Sequence, residues 1–137
     1  MSPREVFALR DHLGTALTER TISDPRHVIS LAELSRGCCL GDRGDELDGR
    51  SVLIATSGQL LAGLALIEID GVARRMLLCP PDLKAEHLAG IIADAEIDAV
   101  LTDEPARFSG CAVNLVVPVG LPQPSKRTAQ TVRATEW

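Results

Sequence analysis

The residues best placed to do chemistry are Thr56-Ser57-Gly58-Gln59, a hydroxyl-rich turn between an apolar run and a helical one. In an open parallel sheet, ligands gather beyond the carboxyl ends of the strands. A helix that starts there offers free N–H groups and a positive dipole end to a phosphate, and the Thr56 and Ser57 hydroxyls could add hydrogen bonds. The glycine-rich length and the lysine of a full phosphate loop are both missing, however. A plain strand–helix turn with Ser57 as N-cap is the reading that the residues favour.

Asp103 and Glu104 fall on the same side of the expected sheet. Two neighbouring carboxylates can hold a metal ion or a ribose hydroxyl, but more often they only solvate a loop. Arg74-Arg75 precedes a strand at its amino end, away from any switch-point crevice, where a solvated edge or a salt bridge to an acid such as Asp70 is expected. His87 is expected on the surface, and His12 and His27 show no pattern. No serine stands in G-x-S-x-G, so a nucleophile elbow is not supported. Cys38, Cys39, Cys79 and Cys111 have no C-x-x-C spacing, and three scattered histidines make no zinc set. Adjacent Cys38 and Cys39 could bridge only with strain, so reduced, mostly buried thiols are expected. No residue is assigned a catalytic, cofactor-binding or metal-binding role.

The elements that must position these residues follow from periodicity. Ser2, Pro3 and Glu5 read as a capping box, and Val6, Leu9, Leu13, Ala16 and Leu17 predict an amphipathic helix to about residue 19. Ser23-Asp24-Pro25 breaks it, and a shorter helix is expected over residues 31–40, with Leu31, Leu34 and Cys38 on one side. The run 51–56 is continuously apolar, as in a strand buried on both faces. A helix over 59–69 ends at Gly71, and a second strand over 75–79 stops at Pro80-Pro81. Asp82 is the expected cap of a third helix with Leu88, Ile91, Ile92 and Ala95 on its buried stripe. Strands over 99–102 and 112–119 complete a β-α-β-α-β-loop-β order. Strands joined through helices run parallel with right-handed crossovers, so the fold class is α/β, an open, mostly parallel sheet flanked by helices. Residues 1–120 read as this unit and 121–137, rich in proline and threonine, as a linker.

Composition excludes several functions. The 137 residues suit one compact unit, and 45% hydrophobic with 24% charged residues is the balance of an ordinary globular chain, not of a disordered one. A net charge of −5, a pI near 5.1 and 2% aromatic residues argue against nucleic acid as a partner. Glu68 and Asp70 interrupt the longest apolar stretch, so no membrane span is expected. The start Met1-Ser2-Pro3-Arg4-Glu5 lacks the apolar core of a signal peptide and reads as cytoplasmic.

Several phrases, in their order, resemble the N-terminal part of the adenylate-forming (AMP-binding) enzymes: acyl-CoA synthetases, aryl-CoA ligases and the adenylation domains of peptide synthetases. Ser30-Leu31-Ala32-Glu33-Leu34 is similar to the "sTyaEL" that begins an early helix there. Asp48-Gly49-Arg50-Ser51-Val52-Leu53-Ile54 resembles the "GDrVal" that leads into the first core strand. Leu77-Leu78-Cys79-Pro80 stands where "vPlnP" is usual, and residues 88–103 resemble "l.yil.ds.ak.vitd". Thr135-Glu136-Trp137 is similar to the lead-in to that family's phosphate-binding loop. Residues 69–75 depart from the family's small-residue stretch. The region 38–48 is shorter than usual, which truncates the early helix and marks a divergent branch.

The resemblance implies a fragment of a larger ligase, inactive by itself. Its parent would join a small carboxylic acid to the α-phosphate of ATP with release of pyrophosphate, aided by Mg²⁺, and pass the acyl group to CoA or a carrier-protein thiol. The family's phosphate loop, nucleotide contacts and catalytic lysine come later, so no site residue transfers. Partners would be the remainder of the parent chain and, through an apolar face or unpaired edge left by truncation, a second copy. A stand-alone α/β module binding a small ligand or nucleotide between Thr56–Gln59 and Asp103 is the alternative.

Overall fold

A five-residue stretch without a charge, Ser51-Val52-Leu53-Ile54-Ala55, becomes the central strand and is buried at every position. A computed structural model describes residues 8–13, 20–41, 43–124 and 133–137. In chain order the elements are β1 (Thr21–Ser23), β2 (Val28–Ser30), α1 (Leu31–Arg36), β3 (Gly37–Cys38), β4 (Ser51–Ala55) and α2 (Gln59–Ile69). They continue with β5 (Arg75–Leu78), α3 (Ala85–Asp94), β6 (Ala99–Thr102), β7 (Leu115–Pro118) and β8 (Gln123–Pro124). Short 3₁₀ turns lie at Leu9–His12, Gly44–Leu47 and Pro105–Phe108.

The main sheet has the order β5-β4-β6-β7, with every pair parallel. Side chains alternate across a strand, and β4 therefore feeds two cores. Val52 and Ile54 pack with Leu60, Leu64, Ala65 and Ile69 of α2, together with Met76, Leu101 and Val117. Leu53 and Ala55 pack on the other side with Leu88 and Ile92 of α3, Ile97, Val100 and Phe108. Helices thus cover both faces, as the uninterrupted apolar strand requires. In α2 only Gln59 is exposed, because α1 and the segment around Leu13 and Ile22 cover its outer side. A helix apolar nearly all round needs such cover. It ends where Gly71 takes φ +88°. Among the described residues, no helix is long and apolar enough to cross a membrane.

Four expectations from the sequence need correction. The described part of the first predicted helix is a 3₁₀ turn, Leu9–His12, and the Ser2–Glu5 capping box lies outside the described residues. The second helix stops at Arg36, not at residue 40: Gly37 turns extended, and β3 pairs antiparallel with β8. This short helix, capped by Ser30 accepting from the Glu33 N–H at 3.0 Å, agrees with the truncation that the resemblance implies. The cap of α3 is Lys84, not Asp82, and no side chain bonds its first turn. Periodicity also missed the hairpin β1–β2, whose turn Asp24 closes by accepting from the Arg26 and His27 N–H groups at 2.8 and 2.6 Å.

Residues late in the chain come back to the body. The Gly120 N–H donates to the Cys39 carbonyl at 2.9 Å, and Glu136 pairs with Arg75 at the outer edge of β5.

Two substitutions should move stability in opposite directions. Leu64 is fully buried in α2, and Leu64→Ala should cost about 3 kcal/mol in urea unfolding. Glu96, exposed after α3, holds φ +53°, which favours glycine, so Glu96→Gly should raise stability by about 1 kcal/mol.

Candidate functional site

The order β5-β4-β6-β7 places the second strand of the sheet on one side of the first and the third on the other. The crossover through α2 runs from β4 out to β5, and the one through α3 runs back from β5 past β4 to β6 on the opposite face, so a switch point opens between the carboxyl ends of β4 and β6. Two sequence candidates meet there. The Ser57 N–H donates to Asp103 Oδ1 at 3.0 Å, and the Ser57 hydroxyl donates to Asp103 Oδ2. One carboxylate from the β6 end therefore takes both donors of Ser57. Asp103 is half-buried and Ser57 exposed.

The threonines that close the two strands are buried and bonded locally. Thr56 Oγ1 donates to the Gly58 carbonyl at 2.8 Å, and Thr102 Oγ1 accepts from the Glu104 N–H at 3.0 Å. Gly58, not Ser57, is the N-cap of α2, and no side chain caps that helix. Ser57 stands one residue before the cap position and gives its hydroxyl hydrogen to Asp103.

This arrangement can hold the two strand ends together. Among the described residues, Asp103 is the one side-chain partner of the Ser57 hydroxyl. These residues do not fit ATP with Mg²⁺: the Asp103 oxygens are already engaged, the turn carries no lysine, and no group of three or more His, Cys, Asp or Glu stands in metal-holding geometry among the described residues.

The other candidates are dispersed. Arg75 pairs with Glu136 at 3.0 Å and donates to the Ala95 carbonyl at 3.1 Å, whereas Asp70, the partner expected for it, accepts from the Leu9 N–H at 2.8 Å. His87 is exposed beside Glu86 at 3.5 Å, His27 pairs with Asp24 at 3.2 Å in the hairpin turn, and His12 is exposed. All four cysteines are free thiols.

One polar cluster escaped the sequence reading. Glu68 is buried on α2, and its carboxylate accepts from the Cys39 N–H at 3.0 Å and from Arg10 Nη2 at 2.9 Å. The Cys38 thiol lies 4.0 Å away and donates to the Gly41 carbonyl at 2.9 Å. The signal was available: Glu68 is the one charged residue in Gln59–Ile69. In the sequence alone it stands only as an interruption of an apolar stretch. Burial, and then the Glu68 charge, push the Cys39 thiol up to about 12. At pH 8, iodoacetamide should therefore spare Cys39 in the folded chain and label it after urea unfolding, as read by peptide mass mapping.

No protein-family model and no curated protein matches this chain. Solved structures do. The Klebsiella oxytoca NpsA N-terminal subdomain in complex with anthranilyl-AMSN superposes with a TM-score of 0.70 at 12% identity, over 92% of this chain and 35% of that one. The same subdomain with 3-hydroxybenzoyl-AMSN gives 0.66 at 13% identity, over 80% of this chain and 28% of that one. Holo-AB3403, a four-domain nonribosomal peptide synthetase bound to AMP and glycine, gives 0.57 at 21% identity, over 80% of this chain and 8% of that one. The chain thus shares its fold with part of each and spans about a third or less of their length.

Proposed function

We propose that this chain is the N-terminal part of an ATP-dependent adenylate-forming ligase of the cytoplasm. The parent would convert a carboxylate and ATP to an acyl-adenylate and pyrophosphate, then transfer the acyl group to CoA or another thiol with release of AMP. The observation that carries this reading is the likeness to the NpsA subdomain over 92% of the chain. The ligands of such relatives, an aromatic acyl group on an AMP analogue or AMP beside glycine, suit that reaction. The phrases in residues 30–117 support it independently of the fold.

Within such an enzyme, this chain's own part is architectural. It supplies a two-core parallel sheet on which later residues build the nucleotide and acyl sites, with residues 121–137 leading toward the phosphate loop. ATP, Mg²⁺ and the thiol acceptor are held by the remainder of the parent, so residues 1–137 are inactive alone. ATP–pyrophosphate exchange tests this reading. The full-length polypeptide should catalyse Mg²⁺-dependent exchange with at least one member of a panel of aliphatic, aromatic and amino acids, and residues 1–137 should give only background. Absence of exchange across the panel would overturn it.

A second reading rests on the convergence of Ser57 and Asp103 at the switch point. It makes the chain a stand-alone module that takes a small anion or nucleotide in that crevice. Calorimetric titration of residues 1–137 with ATP discriminates: the module should bind saturably and lose about tenfold in affinity with Ser57→Ala, equivalent to one hydrogen bond. The ligase fragment should give no heat of binding.

A further inference from the structure

The outer edge of β5 is occupied by the chain's own residues 133–136, and side chains as well as backbone define the fit. Glu136 pairs with Arg75 in parallel register. Its N–H donates to the Arg74 carbonyl at 2.9 Å, and its carbonyl accepts from the Met76 N–H at 2.8 Å. The Arg133 N–H donates to the Gly71 carbonyl at 2.9 Å. The Thr135 hydroxyl is used twice: it accepts from the Gly71 N–H and donates to the Ala73 carbonyl, both at 2.8 Å.

Charges complete the fit, with Glu136 on Arg75 at 3.0 Å and Arg133 on Asp48 at 3.2 Å. Gly49, at φ +71°, leaves room for the arginine: a Cβ there would stand 3.3 Å from Arg133 Nη1. Four features of the slot (Asp48, Gly49, the Gly71–Ala73 backbone and Arg75) therefore read three side chains of the arm.

Among the described residues, Glu136 is the last with a pairing contact to β5. The two-residue period of a strand turns the Met76 carbonyl and the Leu78 N–H to the same outer side as the bonded Met76 N–H. Leu78 is 53% exposed there, and Trp137 is 65% exposed. An open edge beside apolar side chains is a template for another chain, and covering it is a device against such pairing.

We propose that residues 133–136 are a clasp that seals the β5 edge through side-chain-specific contacts, and that its release lets β5 pair with a second copy of this chain. Opening the clasp frees the Arg74 carbonyl and the Met76 N–H beside groups already open, so the edge becomes continuous from Arg75 to Leu78. A two-fold axis makes such an edge its own partner. Antiparallel pairing about a two-fold axis at Leu77 sets the outward-facing Met76 opposite Leu78, Leu77 opposite its own copy and Arg75 opposite Cys79. No like charges then face each other, and six apolar residues, three from each copy, line the joint.

Thr135→Val tests the clasp in the full 137-residue chain, since it keeps the branched shape and removes both hydroxyl bonds. Hydrogen exchange at the Met76 amide should speed up about tenfold or more while the Leu53 and Val100 amides stay protected. Sedimentation velocity should then show a concentration-dependent dimer that the unaltered chain lacks, and adding Leu78→Lys should return it to monomer. Arg133→Ala should act in the same direction more weakly. Unchanged Met76 exchange in Thr135→Val refutes the clasp. Fast exchange with a monomer at every concentration refutes the pairing, as does an unaltered chain that dimerises equally well.

Discussion

Complete burial of β4 is the constraint on which the rest of the structure depends. A strand with no solvent face must be covered on both sides, and two helices arriving through parallel crossovers are the economical way to do it. That requirement fixes α2 and α3 on opposite faces and divides the interior into two cores that meet only through the sheet. It also makes α2 a problem of its own. Having few polar positions to show to water, α2 needs a second cover, and α1 with the segment around Leu13 and Ile22 supplies it. The layer beyond the sheet is therefore a consequence of the strand composition two elements away.

The parts of the fold legible in the sequence are those governed by local chemistry. Gln59–Ile69 and Ala99–Thr102 stand where the apolar pattern and Gly71 put them, because an apolar run with clear punctuation leaves few alternatives. The errors fall where a distant partner decides. The helix from Leu31 ends at Arg36 because Gly37 and Cys38 are claimed by residues 123–124, a pairing invisible to any local pattern. Ser57 stands one residue before the cap of α2, and a carboxylate 46 residues later takes its hydroxyl. Arg75 finds Glu136 instead of Asp70 because the chain returns to the edge of β5. Glu68 was visible as an oddity, but its partners lie on segments that only the fold brings together.

At the carboxyl ends of the strands, where a sheet of this kind meets its ligands, the chain has filled the anion position with its own Asp103. The Ser57 donors are thus taken by Asp103, while the first N–H groups of α2 carry no side-chain cap. The solved structures that share this fold are matched by this chain only in part.

The pairing scheme carries a further consequence, for the order of events as the chain is made. The sheet contains no hairpin: Ser51 pairs with Arg75, and Val52 pairs with both Met76 and Ala99. Each contact closes a long loop before it gains anything, the signature of slow, topology-limited folding. The strand with the greatest need for cover is made first among the four and gets its second neighbour only once Ala99–Thr102 has emerged. Throughout that interval a flat, uncharged segment is open to the wrong partners. A polypeptide organised this way depends on what shelters Ser51–Ala55 during synthesis, and its yield in a cell is set by that interval as much as by the stability of the finished sheet.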